Sequence, residues 1–285
     1  MTMSDAPGFH ADRIGVWSDE IEFAVTRAGT LAYAEATNDR TPKHLDGSYA
    51  PPVFSIVPPF MIMADTTLYA VPDELMMRIL HGEQDMRFHR PIVPGDDLRC
   101  RAKVIGIHGK SSGVVVTTLL ETRDAAAELV TEQYFSGFFR GGRLDGGYGD
   151  PAPGHAFPDA LRGREPDAVV AEKFDVDQTH RYSAASGDTM PIHLDDDVAT
   201  AMGLPGIIIH GLCTMAFASH AVIGHVCPDN PERLTRLAVR FSAPAQPKHT
   251  ISTSIWRTAP GAYVFETVTD DGAAVIKDGL AEFTI

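Results

Sequence analysis

The sequence predicts an α+β chain built from two similar halves, each a helix laid on several antiparallel strands. Three observations predict it. The order strand, helix, proline loop, apolar helix, strands occurs twice within 285 residues. A shift of 149 residues sets YAEATNDRTPKHLD (33–46) against YSAASGDTMPIHLD (182–195), and seven of fourteen ungapped positions coincide. Among them are Tyr33/Tyr182, Asp39/Asp188, Pro42/Pro191 and His44/His193, so an internal duplication is the best account. Between the copies, FRGGRLDGGYGDPAPG (139–154) holds six glycines and two prolines, which reads as a linker. The expected division is an N-terminal half over 1–140, a Gly/Pro-rich linker over 141–154 and a C-terminal half over 155–285. Each half has an ordinary domain size, and a lone helix on one curved sheet is an α+β layer arrangement.

Residues 1–19 read as a loose lead-in. IEFAVTR (21–27) alternates like a strand, and the alanine-rich AGTLAYAEATND (28–39) reads as a helix. After a proline-punctuated loop, FMIMADTTLYA (60–70) is apolar at helical spacing behind Pro58-Pro59. From Gly95 the pattern turns to strands: DLRCRAKVIGI, GVVVTTLLETR and ELVTEQYFSGFF, rich in β-branched and aromatic residues. The second copy repeats this order. EKFDVD (172–177) reads as a strand and QTHRYSAASGD (178–188) as a short helix. An apolar helix begins near His210-Gly211, and TRLAVRFSA, TISTSIWRT, AYVFETVTD and AVIKDGLAEFTI follow as strands.

Composition bounds the function. Hydrophobic residues make 44% and charged ones 22% of the chain, as in soluble globular proteins. The net charge of −14 argues against nucleic acid as a partner, because phosphate binding wants a basic face. It leaves room for a small anionic ligand with a local basic patch. Cys100, Cys213 and Cys227 form no C-x-x-C pair and no secretory signal precedes them, so a reducing cytoplasm is the expected location. The most apolar window, Pro205 to Val226, carries His210, His220 and His225 and reads as a buried core helix rather than a membrane span.

The chemistry concentrates in Tyr182–Ala216. Pro191 stops a helix between Asp188 and His193, so this stretch is a structured turn able to aim both side chains into one cleft. Imidazole is suited to proton transfer near neutrality, and a carboxylate beside it is a second proton site or fixes its tautomer. The plainer reading makes Asp188 a turn cap and His193 a satisfied core histidine. Gly211 opens the apolar helix, where backbone N–H groups lack partners and the helix end favours negative charge. A glycine there lets a substrate oxygen come close. Acid, base and oxyanion donor together suit addition of water α,β to a carbonyl.

YSAASGDTMPIHLD followed by PGIIIHGLCT resembles the R-specific enoyl-CoA hydratases, the MaoC-like group, and most closely the hydratase domain of the peroxisomal multifunctional enzyme and two-domain bacterial relatives. HGEQDMRFHRPIVPGDDLRC (81–100) and RFSAPAQPKHTISTSIW resemble the matching parts of those proteins. The resemblance spans about Ile21 to Ile285. It implies a double hotdog fold, each half a curved antiparallel sheet around a long central helix. It implies reversible conversion of a trans-2-enoyl-CoA to a (R)-3-hydroxyacyl-CoA with no metal or redox cofactor, coenzyme A entering only as part of the substrate. Homodimers are common in the family. Asp188 and His193 would then hold the water and move protons, and Gly211 N–H would bind the thioester oxygen, with Met190 and His210 beside the substrate. Met190 is a departure, since the family usually has Asn there, and a thioether is a weak acceptor that donates nothing.

The first copy keeps Asp39 and His44 but not the third component. Aligning Pro51 or Pro52 with Pro205 sets Val57 or Pro58 opposite Gly211, and no glycine lies between Ala50 and Asp65. Proline has no N–H to give. The first half is therefore expected to be a degenerate site that accommodates the acyl chain, with Phe54, Ile56, Phe60 and Met61 as lining or as ordinary core. Arg236 and Arg240 are candidates for coenzyme A contacts. GIHGKSS (106–112) lacks the first glycine of a phosphate loop. Cys213 reads as a buried structural cysteine, and the Asp195–Asp197 run as a solvated turn. Two other functions share these features: a hotdog thioesterase that aims water at the thioester carbonyl, and a non-catalytic acyl-thioester-binding protein.

Overall fold

The computed structural model describes residues 8–285. The first part of the chain forms β1 (Ile21–Ala24), α1 (Arg27–Ala36), α2 (Pro42–Leu45), α3 (Phe60–Leu68), β2 (Ile79–Phe88), β3 (Asp97–Lys110), β4 (Gly113–Arg123), β5 (Leu129–Arg140) and β6 (Gly147–Gly149). The second forms β7 (Ala168–Lys173), α4 (Gln178–Ser186), α5 (Asp196–Ala201), α6 (Gly211–Val226), β8 (Leu234–Phe241), β9 (Thr250–Ala259), β10 (Ala262–Thr269) and β11 (Ala274–Phe283). No helix among the described residues is long and apolar enough to cross a membrane.

Two compact units result. One comprises the chain up to Phe23 with Pro58–Arg87 and Asp97–Gly154. Its strands run β1-β3-β4-β5-β2, and β3, β4 and β5 pair antiparallel over their lengths. Strand alternation buries Val104, Ile107, Val114, Val116 and Phe139 with Ala70 and Val71 behind α3. Thr67 of α3 meets Thr118 of β4 through a 2.7 Å hydroxyl–hydroxyl hydrogen bond, so the helix lies on this sheet. It is short, nine residues against the sixteen of α6, where a long central helix was expected.

The stretch expected as a linker is tied down. Gly147–Gly149 form β6 on β3, Tyr148 opposite Ile107. Gly149 sits at φ +71°, and a Cβ there would overlap the Ile105 carbonyl. The glycines that read as flexibility serve close backbone approach. The G-K-S run lies at the tight β3–β4 hairpin, with Lys110 paired to Gly113. Of the 1–19 lead-in, residues 1–7 lie outside the described residues, and Ala11–Arg13 form a 3₁₀ turn.

The other unit comprises Ala24–Val57, Phe88–Asp96 and His155–Ile285. Its strands run β8-β11-β10-β9-β7, all antiparallel. The core helix α6 is apolar almost all round, and twelve of its residues from Leu212 to Ile223 are buried. Phe217 meets Phe174 edge-on at 4.7 Å, and replacing such a ring by alanine costs about 3–5 kcal/mol. The strand expected over 172–177 lies earlier, at Ala168–Lys173. The Gln178 side chain accepts from the Asp175 amide at 3.1 Å and turns the chain into α4 instead.

Residues 24–57 of the first copy thus pack with the second. Helices α1 and α4 explain why. The hydroxyls of Tyr33 and Tyr182 lie 3.3 Å apart, both rings fully buried. Gln178 donates to the Ala36 carbonyl at 2.6 Å, and Arg181 donates to the Glu35 carbonyl at 2.9 Å and to Asn38 at 3.1 Å.

Candidate active site

Helix α4 ends at Gly187, which takes the left-handed conformation (φ 80°) that glycine adopts without cost and closes the helix. Asp188 follows at once. Its Oδ1 accepts the Met190 amide at 3.1 Å, an Asx-type turn, and Pro191–His193 complete the reversal as one 3₁₀ turn. His193 is thereby buried, and its Nδ1 lies 2.8 Å from the Ile208 carbonyl. A carbonyl only accepts, so Nδ1 carries the hydrogen and Nε2 the free lone pair. The ring of His210 stacks on that of His193, centroids 3.8 Å apart at 24°. Asp188, His193 and His210 each offer a ligand atom, all within 4.8 Å of one another.

Next along the chain stands Gly211, first residue of α6, behind an N-cap whose side chain makes no capping hydrogen bond. The N-terminal N–H groups of this helix are therefore uncapped by side chains beside the Asp–His pair. A Cβ on Gly211 would stand 3.3 Å from the ring of Phe241, a tight contact that the ring relieves by giving way a few tenths of an ångström.

Burial pushes the Asp188 carboxyl above the usual carboxylate range, against the pull of His193 and the Met190 amide. Burial likewise pushes His193 below the usual imidazole range, against the Ile208 carbonyl and the Asp188 charge. Each charge alone is disfavoured by its surroundings and favoured by the other. His210 is pushed down to about 2, by burial first and then by His193, and is neutral.

The first copy has become something different. His44 Nδ1 lies 2.6 Å from Asp39 Oδ2, and Asp39 Oδ1 accepts the Thr41 amide at 2.8 Å. A third partner, absent from the repeat, comes from α6. His220 Nε2 is 3.2 Å from the same Asp39 oxygen, an ionic contact without hydrogen-bond alignment. Burial would raise Asp39, but His220 and His44 outweigh it and hold the carboxyl well below the usual range. Burial would lower His220, but its contact with Asp39 and the Glu172 charge together outweigh burial and raise it. The cavity touching His44, lined by Tyr49, Ser55, Phe88, Pro231 and Glu232, measures ≈ 30 Å³. That is room for a water or two and for no acyl thioester. Sequence reasoning noted His220 only as a histidine in an apolar helix, since nothing in one chain's order says which turn that helix will face.

The remaining candidates are scattered. Phe54 and Ile56 are buried, 2% and 1% exposed, and Phe54 lies edge-on to Tyr33 at 5.6 Å. Phe60 and Met61 belong to the other unit. Met61 is 63% exposed and borders a ≈ 480 Å³ cleft with Trp17, Ile62, Asp65 and Tyr69. Met190 is half-buried at the turn. Arg236 and Arg240 face acidic residues of β11: Arg240 Nη1 is 3.1 Å from Asp278 and Arg236 Nη1 is 3.8 Å from Glu282. Cys213 is buried, and burial pushes its thiol well up. Asp195 caps α5 through the amides of Asp197 and Val198. A second group able to hold a metal ion, His249 with Asp270 and Asp271, lies mostly at the surface.

The two repeats and an Asp–His pair beside a helix start fit a hotdog hydratase or dehydratase, and the comparisons give that class. Residues 159–276 match the MaoC like domain, and residues 44–141 match the MFE-2 hydratase 2 N-terminal domain. The 3-hydroxyacyl-thioester dehydratase Y of Mycobacterium tuberculosis is 35% identical over 215 residues, 72% of each chain. A Dictyostelium discoideum protein named probable enoyl-CoA hydratase 2 is 28% identical over 274 residues, 92% of each. The crystal structure of a MaoC-like dehydratase from Phytophthora capsici superposes with a TM-score of 0.85 at 27% identity, covering 96% of this chain and 99% of that one. A Mycobacterium tuberculosis protein described as a double hotdog fold superposes at 0.64 with 16% identity, covering 96% and 97%. Of the peroxisomal multifunctional enzymes type 2 of Drosophila melanogaster and Mus musculus, matched at 30% identity over 79% and 72% of this chain, it spans 39% and 28% of their length. The chain belongs to the MaoC-like family and is an enzyme of its hydratase/dehydratase class, with the double hotdog fold.

Proposed function

We propose that the enzyme interconverts a trans-2-enoyl-CoA and the (R)-3-hydroxyacyl-CoA by adding or removing water at Asp188 and His193. The observation that carries this is the His193 Nδ1 hydrogen bond to the Ile208 carbonyl at 2.8 Å, which leaves the Nε2 lone pair for a water shared with Asp188. In hydration, Nε2 takes one proton from the water as its oxygen bonds to Cβ. The π electrons move through Cα to the thioester oxygen, whose negative charge the Gly211 N–H stabilises. His193 then returns the proton to Cα, so the product gains one water and the enzyme is unchanged. Asp188 orients the water and stabilises the transient imidazolium. That charge forms where it is otherwise disfavoured by burial, so the neighbouring carboxylate matters most at that moment.

The first copy supports a single site. Its aspartate is tied up by two histidines and a backbone amide, and its helix α3 starts behind Pro58-Pro59. The test follows loss of conjugated-thioester absorbance over enoyl-CoA chain lengths, with chiral analysis of the product. Asp188→Asn and His193→Ala should each lower turnover by about 10²–10⁴. Wild-type turnover in either variant, or release of free thiol from a saturated acyl-CoA in place of hydration, overturns the reading.

A further inference from the structure

One side chain joins three parts of the site without taking a proton in the reaction above. His210 is 1% exposed and stands immediately before Gly211. Its Nε2 lies 3.2 Å from the backbone carbonyl of Asp188, so Nε2 carries the hydrogen and Nδ1 the lone pair. Its ring lies against His193 at 3.8 Å and tilted towards Tyr182 at 4.8 Å. Its Nδ1 is buried with no hydrogen-bond partner.

That orphan nitrogen is informative. A buried acceptor without a donor destabilises the fold, and an apolar ring of similar shape would avoid the cost. A purely structural position would be better served by phenylalanine. What phenylalanine lacks is the Nε2–H that reaches the Asp188 carbonyl. We propose that His210 is a positioning residue: its N–H pins the Asp188 turn to the start of α6, and its ring face fixes the plane of His193. Both proton-handling groups are thereby held to one water and to the Gly211 amide. Because burial keeps the ring neutral, it adds no positive charge to oppose the imidazolium on His193. The inference rests on the assignment of Asp188 and His193 given above.

Two substitutions separate the two contacts. His210→Phe keeps the ring face and loses the donor; His210→Gln keeps a donor and loses the ring. In His210→Phe, kcat for enoyl-CoA hydration should fall about 10- to 100-fold with KM within about threefold, since a displacement near 1 Å is worth that much in rate. The melting temperature should stay close to that of the wild type, because the loss of the orphan nitrogen offsets the loss of the bond to the Asp188 carbonyl. His210→Gln should recover part of kcat while melting lower. Wild-type kcat in His210→Phe, with Asp188→Asn inactive, overturns this inference alone. Full turnover in Asp188→Asn overturns the underlying assignment. A readout independent of turnover is the imidazole nitrogen NMR spectrum of the wild type. His210 should show one protonated and one free nitrogen at pH 6, and a doubly protonated ring there refutes the proposal.

Discussion

Asp39→Asn separates a buried structural cluster from a working site. The Asp39 side chain is 0% exposed, and His44 and His220 beside it are 1% and 7% exposed. One carboxylate meets two ring nitrogens at 2.6 and 3.2 Å and one amide at 2.8 Å. Asparagine fills the same volume, keeps the acceptor for Thr41 and allows His44 to change tautomer, but leaves His220 with only the weaker charge of Glu172. Breaking a buried pair from one side costs about 3–5 kcal/mol, and the retained contacts place this case at about 3. At about 2–4 °C per kcal/mol for a chain near this size, the melting temperature should drop by about 6–12 °C.

The penalty should depend on pH with a definite sign. His220 is raised in the folded state, so its contribution is complete below the unfolded value of about 6.5 and disappears as pH rises through the folded value. Asp39 is depressed, so its contribution is present above the unfolded value of about 3.9 and is lost only as pH falls towards the folded one. Thermal melts at pH 5.5 and 9 should therefore show the larger drop at pH 5.5, with turnover per folded molecule close to wild type. A drop under about 2 °C at pH 5.5, or a loss of turnover as deep as that of Asp188→Asn, refutes the structural assignment of the cluster.

Two further outcomes follow from the site. Gly211→Pro deletes one N–H at the first helical position, where proline is well tolerated and His210 already has the extended backbone that precedes proline (φ −56°, ψ 134°). It should lower kcat by about 10²–10³ in a folded protein, while Gly211→Ala, which keeps the N–H but presses on Phe241, reports the steric part; unchanged kcat in the proline variant refutes the oxyanion role. Met190→Asn restores hydrogen-bonding capacity at the turn and should raise kcat/KM by up to about tenfold, the worth of one hydrogen bond near 1.4 kcal/mol, with little change in melting temperature because the side chain is half-buried; a fall in kcat/KM refutes it.

The site was legible in the sequence as far as local chemistry reaches. A proline two residues before the histidine and a glycine at an apolar helix start each dictate their own few residues of backbone, although the helix expected to run through Asp188 ends at Ser186, before Gly187. His193 and Gly211 fall where those rules put them. Most strands were legible too, from alternation and β-branched runs. Contacts between distant segments were not. The ring of His210 could turn to substrate or to His193, and only packing decides. His220 joins Asp39 across many residues of chain. Gly149 carries the same letter whether it gives freedom or lets β6 approach the Ile105 carbonyl. Phe54 and Met61 look alike as apolar residues, yet one is core and the other open to solvent.

Tyr33 and Tyr182 are counterparts in the repeat, and their hydroxyls meet each other. A residue that touches its own counterpart joins the two copies at equivalent positions. Two hydroxyls sharing one contact cannot both donate into it, so equivalence is already broken there at the level of a single hydrogen. In a dimer of one-repeat chains, every change at such a point is made twice and in the same place. In a joined chain it is made once, on one side. That freedom is what allows one aspartate to be sealed among histidines while its twin keeps a different set of neighbours.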